Sequence, residues 1–153
     1  MADVCFDKDL VVIIDEPGTC AEVERRMAET LLAQGYVRDT YAQAIADREA
    51  AYPTGLEFGD HSIAMPHCDI EHVNAPAICL GVLKKPVEWR RMDDANATCP
   101  VELVVMLALN EAHAHLEMLQ KVVALLQDQE LVAQIVASES PSDAYALAKD
   151  RLV

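Results

Sequence analysis

The run Val101-Glu-Leu-Val-Val-Met-Leu-Ala-Leu109 limits the possible folds of this chain more than any other stretch. Apart from Glu102 it is apolar throughout, so it lacks the inside-outside alternation of a half-solvated strand. Far too short to cross a bilayer, it reads as a central strand covered on both faces. A sheet buried in this way needs helices on each side, and the flanking sequence supplies them. Asp9–Asp15, DLVVIID, reads as a β-branched strand. Thr19-Cys-Ala-Glu22 is a capping box, followed by Val23, Met27 and Leu31 along one helical face until Gly35 stops the helix. A second helix is expected from about Thr40 to Ala51, turning Tyr41, Ala44 and Ile45 inward, and Pro53-Thr-Gly55 ends it.

Strands follow at Ser62–Met65 and Ala77–Lys84, with Pro86–Trp89 as a short edge strand. Helices close the chain at about His113–Gln127 and Gln129–Ala137. A last one opens at Ser140-Pro141, with Asp143 at the capping-box position. The order β-α-α-β-β-β-α-α-α predicts an α/β fold: a mixed β-sheet flanked by helices on both faces. With 153 residues and no linker, repeat or biased tract, Met1 to Val153 is expected to form one domain.

Twelve Lys+Arg against 26 Asp+Glu give a net charge of −14, which argues against nucleic acid or an anionic membrane surface as partner and favours a basic protein. The five cysteines are scattered without a CxxC pair, as reduced thiols of a cytoplasmic protein would be. No secretory leader is recognisable, so the expected compartment is the cytoplasm.

Chemistry concentrates in Arg48–His72, REAAYPTGLEFGDHSIAMPHCDIEH. Pro66 biases Met65 towards an extended conformation, so the SIAM run should stop just before His67. At the mouth of a strand His67 is stiffly held yet reachable, as a nucleophile must be. A lone Pro-His pair is more often a half-buried histidine that closes a strand, hydrogen-bonded and inert. His115 opens the helix after the long strand, at the carboxyl end where open α/β sheets build their sites. If Ile63–Met65 runs beside Val104–Leu107, the two imidazoles meet; otherwise His115, like His113, is a solvated helix-start residue. Arg48 is either a solvated charge or a guanidinium fork for a phosphoryl group. His61, His67, Cys68, Asp69 and His72 offer zinc-type ligands, but their spacing fits no known knuckle. Adjacent His67 and Cys68 cannot easily face one ion, or act as a nucleophile pair, from an extended chain. No Gly-rich phosphate loop, GxSxG or HExxH occurs.

Taken together, REAAYPTGL, HSIAMPHCDIEHV, LKKPVEW and VELVVMLAL…AHLEMLQKVVALLQDQELV resemble the IIA component of the sugar phosphotransferase system (PTS), mannitol/fructose type. PTGL with PHC is most similar to its galactitol branch. Cys68 departs from the Thr or Gly of many relatives. The resemblance implies a phosphocarrier with His67 phosphorylated through Nε2, His115 as the second active-site histidine and Arg48 as the arginine. It implies phospho-HPr as donor and, as acceptor, a IIB component serving a membrane IIC permease. It implies no cofactor and no metal. Backbone N–H groups near Cys68 and Asp69 are further candidate contacts to the phosphoryl group. The nitrogen-related IIA domains, which regulate through phosphorylation-dependent partner binding, look similar at the histidine and form the alternative.

Overall fold

The computed structural model describes residues 4–153. One five-stranded sheet organises them, in the order β1 (Val11–Ile14), β4 (Ala77–Arg90), β5 (Thr98–Ala108), β3 (Ser62–Ala64) and β2 (Gly55–Leu56). The sheet is mixed: β1 runs parallel to β4 and β3 parallel to β5, while β4–β5 and β2–β3 are antiparallel. Helices α1 (Cys20–Ala33) and α2 (Tyr41–Ala51) pack on each other and cover one face. On the other, α3 (Ala112–Gln127), α4 (Gln129–Val136) and α5 (Pro141–Leu152) pack together. Covered on both sides, the VELVVMLAL run sits in the middle of the molecule, with Leu103, Val104, Val105 and Met106 fully buried. Burying each such side chain contributes about 1.5–3 kcal/mol.

Local chemistry explains most boundaries. Thr19 caps α1 by accepting from the Glu22 N–H at 3.2 Å, and Val23, Met27 and Leu31 form its buried row. Gly35 ends the helix with φ at +84°, where any side chain would be strained. Its N–H donates to the Leu32 carbonyl and that of Tyr36 to Leu31. Ser140 caps α5 by accepting from the Asp143 N–H at 3.2 Å, with Pro141 in the first turn.

Two elements differ from expectation. Pro86–Trp89 is not a separate edge strand but the far half of β4, paired with β5 through Val87↔Val101 and Trp89↔Cys99. Between Val82 and Val87 the register slips: Leu83 to Pro86 bulge out, whereas the partners Leu103 and Val101 are separated only by Glu102. The bulge leaves Pro86 exposed, at a place where the ladder requires no N–H. Secondly, Gly55–Leu56 adds a short strand to the sheet edge. A Cβ on Gly55 would lie 2.6 Å from the Arg90 carbonyl oxygen and 3.1 Å from Cys99 Sγ, so only glycine lets this strand close down.

Candidate functional site

The parallel pairing of β3 with β5 sets the site. Ile63 is opposite Leu103 and Ala64 opposite Val104, and the Leu107 N–H donates to the Pro66 carbonyl at 2.9 Å. The chain therefore leaves β3 at the carboxyl end of both strands, and His67 emerges there. Four residues beyond β5, α3 begins and carries His115 in its first turn. The two imidazoles come to 5.0 Å between ring centroids, tilted by 38°. Arg48, in the last turn of α2, reaches the same place from the opposite helical layer. A cleft of about 290 Å³ joins the three, walled by Tyr52, Pro53, Met65, Met92, Leu116 and Leu119.

His67 is held by a 2.9 Å hydrogen bond between Nδ1 and the Met65 carbonyl. A carbonyl can only accept, so Nδ1 carries the proton and Nε2 holds the lone pair of the neutral ring. Burial lowers the His67 pKa from its ordinary 6.5, and the Arg48 charge adds to this against the opposing pull of the Met65 carbonyl. His115 is lowered too, first by burial and then by His67. Both rings are thus neutral at pH 7. The Arg48 guanidinium lies 5.0 Å from the centroid of the Tyr52 ring, and its Nη1 is 3.9 Å from the exposed Asp69 carboxylate. That ion pair is long and wet, a weak hold on the guanidinium. Two nitrogens in the cleft, Arg48 Nε and His115 Nε2, are buried without a hydrogen-bond partner among the described residues. Buried polar atoms are rarely left so: an anion entering here could accept from Arg48 Nε, and from His115 Nε2 when that nitrogen carries a proton.

Residues of the possible zinc set part company. His61 Nδ1 pairs with Glu102 at 3.0 Å, His72 Nδ1 with the Thr40 hydroxyl at 2.8 Å, and Cys68 is buried with its thiol pushed up to about 12 by burial. Among the described residues no three His, Cys, Asp or Glu side chains converge on a point where an ion could sit. His113 is exposed and pairs with Glu117.

Comparison with known proteins fits this geometry. Residues 5–150 match the family model described as the phosphoenolpyruvate-dependent sugar phosphotransferase system, EIIA 2. The chain belongs to this family. It is 34 % identical over 116 residues to the galactitol-specific EIIA component of Escherichia coli (strain K12), covering 76 % of this chain and 77 % of that protein. To the nitrogen regulatory protein of Pseudomonas aeruginosa it is 28 % identical over 113 residues, covering 72 % and 69 %. Its fold matches the IIA chain in the complex of enzyme IIA-Mtl with phosphorylated enzyme IIB-Mtl from Escherichia coli. There the TM-score is 0.77 at 22 % identity, covering 97 % of this chain and 99 % of that one.

The chain is therefore a PTS IIA domain of mannitol-type fold and a phosphotransferase component. No helix among the described residues is long and apolar enough to cross a membrane. One cleft brings together His67, His115 and Arg48. Sequence reasoning missed its walls. Tyr52 precedes the PTG turn, Leu116 and Leu119 belong to the HLEML stretch beside His115, and Met92 arrives from the β4–β5 connection with no local signal at all.

Proposed function

We propose that this IIA domain is a cytoplasmic phosphocarrier. It accepts a phosphoryl group from phospho-HPr on His67 Nε2 and passes it to a IIB component of a sugar permease, with a galactitol-like sugar as the cargo. One observation carries the reading. A neutral imidazole with its lone pair on Nε2 shares a cleft with two buried nitrogens that lack partners, Arg48 Nε and His115 Nε2. As the donor approaches, the Nε2 lone pair forms the new N–P bond while the bond from phosphorus to the donor breaks, its electron pair leaving with the donor. The proton stays on Nδ1, donated to the Met65 carbonyl. Phosphoryl transfer passes through a loose transition state, so the protein's task is to position groups and balance charge on the equatorial oxygens. Arg48 supplies that balance, as does His115 when its Nε2 carries a proton, each hydrogen bond to the charged phosphoryl group contributing about 1.5–3 kcal/mol. The apolar walls limit water, which would otherwise hydrolyse the carried group.

Release follows from the same electrostatics. The phosphoryl group adds about −1.5 to −2 charge to a chain already at −14, so repulsion favours handing it on. The acidity also steers a basic donor towards the site. Similarity to the galactitol-specific component is what favours sugar transport over the regulatory role of nitrogen-related relatives. The test is transfer from the phosphorylated domain to a purified galactitol-type IIB protein. Rapid loss of label from this chain with its appearance on IIB is the expected result. A phosphorylated chain that gives nothing to IIB, yet binds a regulatory partner in only one phosphorylation state, would overturn the transport reading in favour of the regulatory one.

A further inference from the structure

Next to Arg48 on α2, and turned to the interior instead of the cleft, lies Glu49. It is 8 % exposed. Both of its carboxylate oxygens are spent on a single residue across the helix end: Oε2 accepts from the Thr54 N–H at 2.7 Å and Oε1 from the Thr54 hydroxyl at 2.6 Å. Thr54 in turn fixes the residue before Pro66, its carbonyl accepting from the Met65 N–H at 3.2 Å. The Met65 carbonyl is the group that holds the proton on His67 Nδ1. An unbroken series of hydrogen bonds thus runs from a buried carboxylate to the ring.

We propose that Glu49 is a positioning residue for the His67 ring, fixing through Thr54 and the Met65 carbonyl which nitrogen holds the lone pair. The inference rests on His67 being the phosphoryl acceptor. Burying a carboxylate is costly unless its charge is answered, and Glu49 is surrounded in a way that keeps it an acceptor. Glu24, from α1, faces it inside the helical layer. Burial first, and then the Glu49 carboxylate, push the Glu24 pKa up to about 9, so Glu24 is protonated at neutral pH and sets no second negative charge beside Glu49. Arg90, from the far end of β4, donates to the carbonyls of Glu49 and Ala50 and brings positive charge to the end of α2. A turn whose only need was to close could do so with one hydrogen bond to solvent-exposed side chains. Here a bidentate, buried carboxylate anchors the strand that presents the nucleophile, and the displacement it prevents is of the kind that costs transfer rate steeply.

The tautomer of His67 can be read directly in the unphosphorylated protein by long-range ¹H–¹⁵N correlation of the ring nitrogens, assigned with His67→Ala. The wild-type ring should be protonated on Nδ1. Glu49→Gln replaces one acceptor by an amide donor and cannot serve both Thr54 groups. It should give a mixture of Nδ1–H and Nε2–H forms and slow uptake from phospho-HPr about tenfold or more. Thr54→Val should do the same to a smaller degree, and Thr54→Ser, which keeps both bonds, should restore the wild-type tautomer. A folded Glu49→Gln protein with the wild-type tautomer and uptake rate would overturn the proposal. If Glu49→Gln does not fold, indistinguishable ring spectra for Thr54→Val and Thr54→Ser would overturn it instead. Failure of the wild-type protein to take up phosphate would remove the acceptor role of His67 and this inference with it, whereas an unchanged tautomer removes Glu49 alone.

Discussion

The ring of His115 lies 5.0 Å from the ring of His67, tilted by 38°, although 47 residues and two strands separate them in the chain. The His67 ring is the second cause, after burial, of the depressed His115 pKa. Two neutral imidazoles can sit side by side in a cleft where two imidazolium ions could not.

The first prediction concerns pH. With His67 as the proposed acceptor, uptake needs the neutral ring, whose pKa burial holds below 6.5. The rate should therefore stay level from neutrality down to 6.5 and reach half its value only at more acid pH. The same shifts act on stability. Unfolded histidines protonate near 6.5 while the folded rings resist, so stability is full above that value and is lost as pH falls through the lowered folded values. An uptake midpoint above 6.5 would contradict the assignment of burial as the dominant cause.

The second concerns His115. Its Nε2 has no hydrogen-bond partner among the described residues, so replacing His115 by Ala should cost little stability. Transfer should slow by about a hundredfold, the scale seen when one donor to a developing charge is removed. Rapid-quench kinetics of uptake and of transfer to IIB measure this directly. Unchanged rates would exclude His115 from the chemistry.

A third follows from the stacking of Arg48 on Tyr52, 5.0 Å from guanidinium to ring centroid. An exposed contact of this type contributes about 0.5–1 kcal/mol. Tyr52→Ala should thus slow uptake only a few-fold, and Tyr52→Phe should leave the stacking in place and the rate near that of the parent. Equal losses in the two variants would point to the hydroxyl and not to the stacked face.

Gly55→Ala tests the loop that carries Thr54. A Cβ there meets backbone at 2.6 Å, so the strand must shift, at a cost of about 1–3 kcal/mol. Denaturant titration should register the loss, and uptake should fall with it as the Thr54–Met65 contact opens. Full stability in this variant would show that β2 can move away from Arg90 freely.

How far the sequence discloses this molecule depends on how local each feature is. Thr19, Gly35 and Ser140 announce helix ends because caps are settled within a few residues. The central place of VELVVMLAL is legible because its apolar run leaves no solvent face. The Pro86–Trp89 segment misleads, since whether it forms its own strand or prolongs β4 depends on pairing with Val101 and Cys99 beyond the intervening turn. At the site, His67, His115 and Arg48 stand out through motif resemblance. Tyr52, Met92 and Leu116 do not, because an apolar side chain at the rim of a cleft has no sequence pattern to distinguish it. The Glu49–Thr54 clasp closes across a turn of irregular backbone, where no helical or strand period brings the partners together.

The central claim is the seat of the phosphoryl group. The domain is incubated with phosphoenolpyruvate, enzyme I and HPr, and the acid-labile, base-stable phosphate is mapped by mass spectrometry, with His67→Ala in parallel. The account predicts a single phosphoryl group on His67 and no label on a folded His67→Ala protein. Phosphate mapped to another residue, or undiminished labelling of that variant, would contradict it.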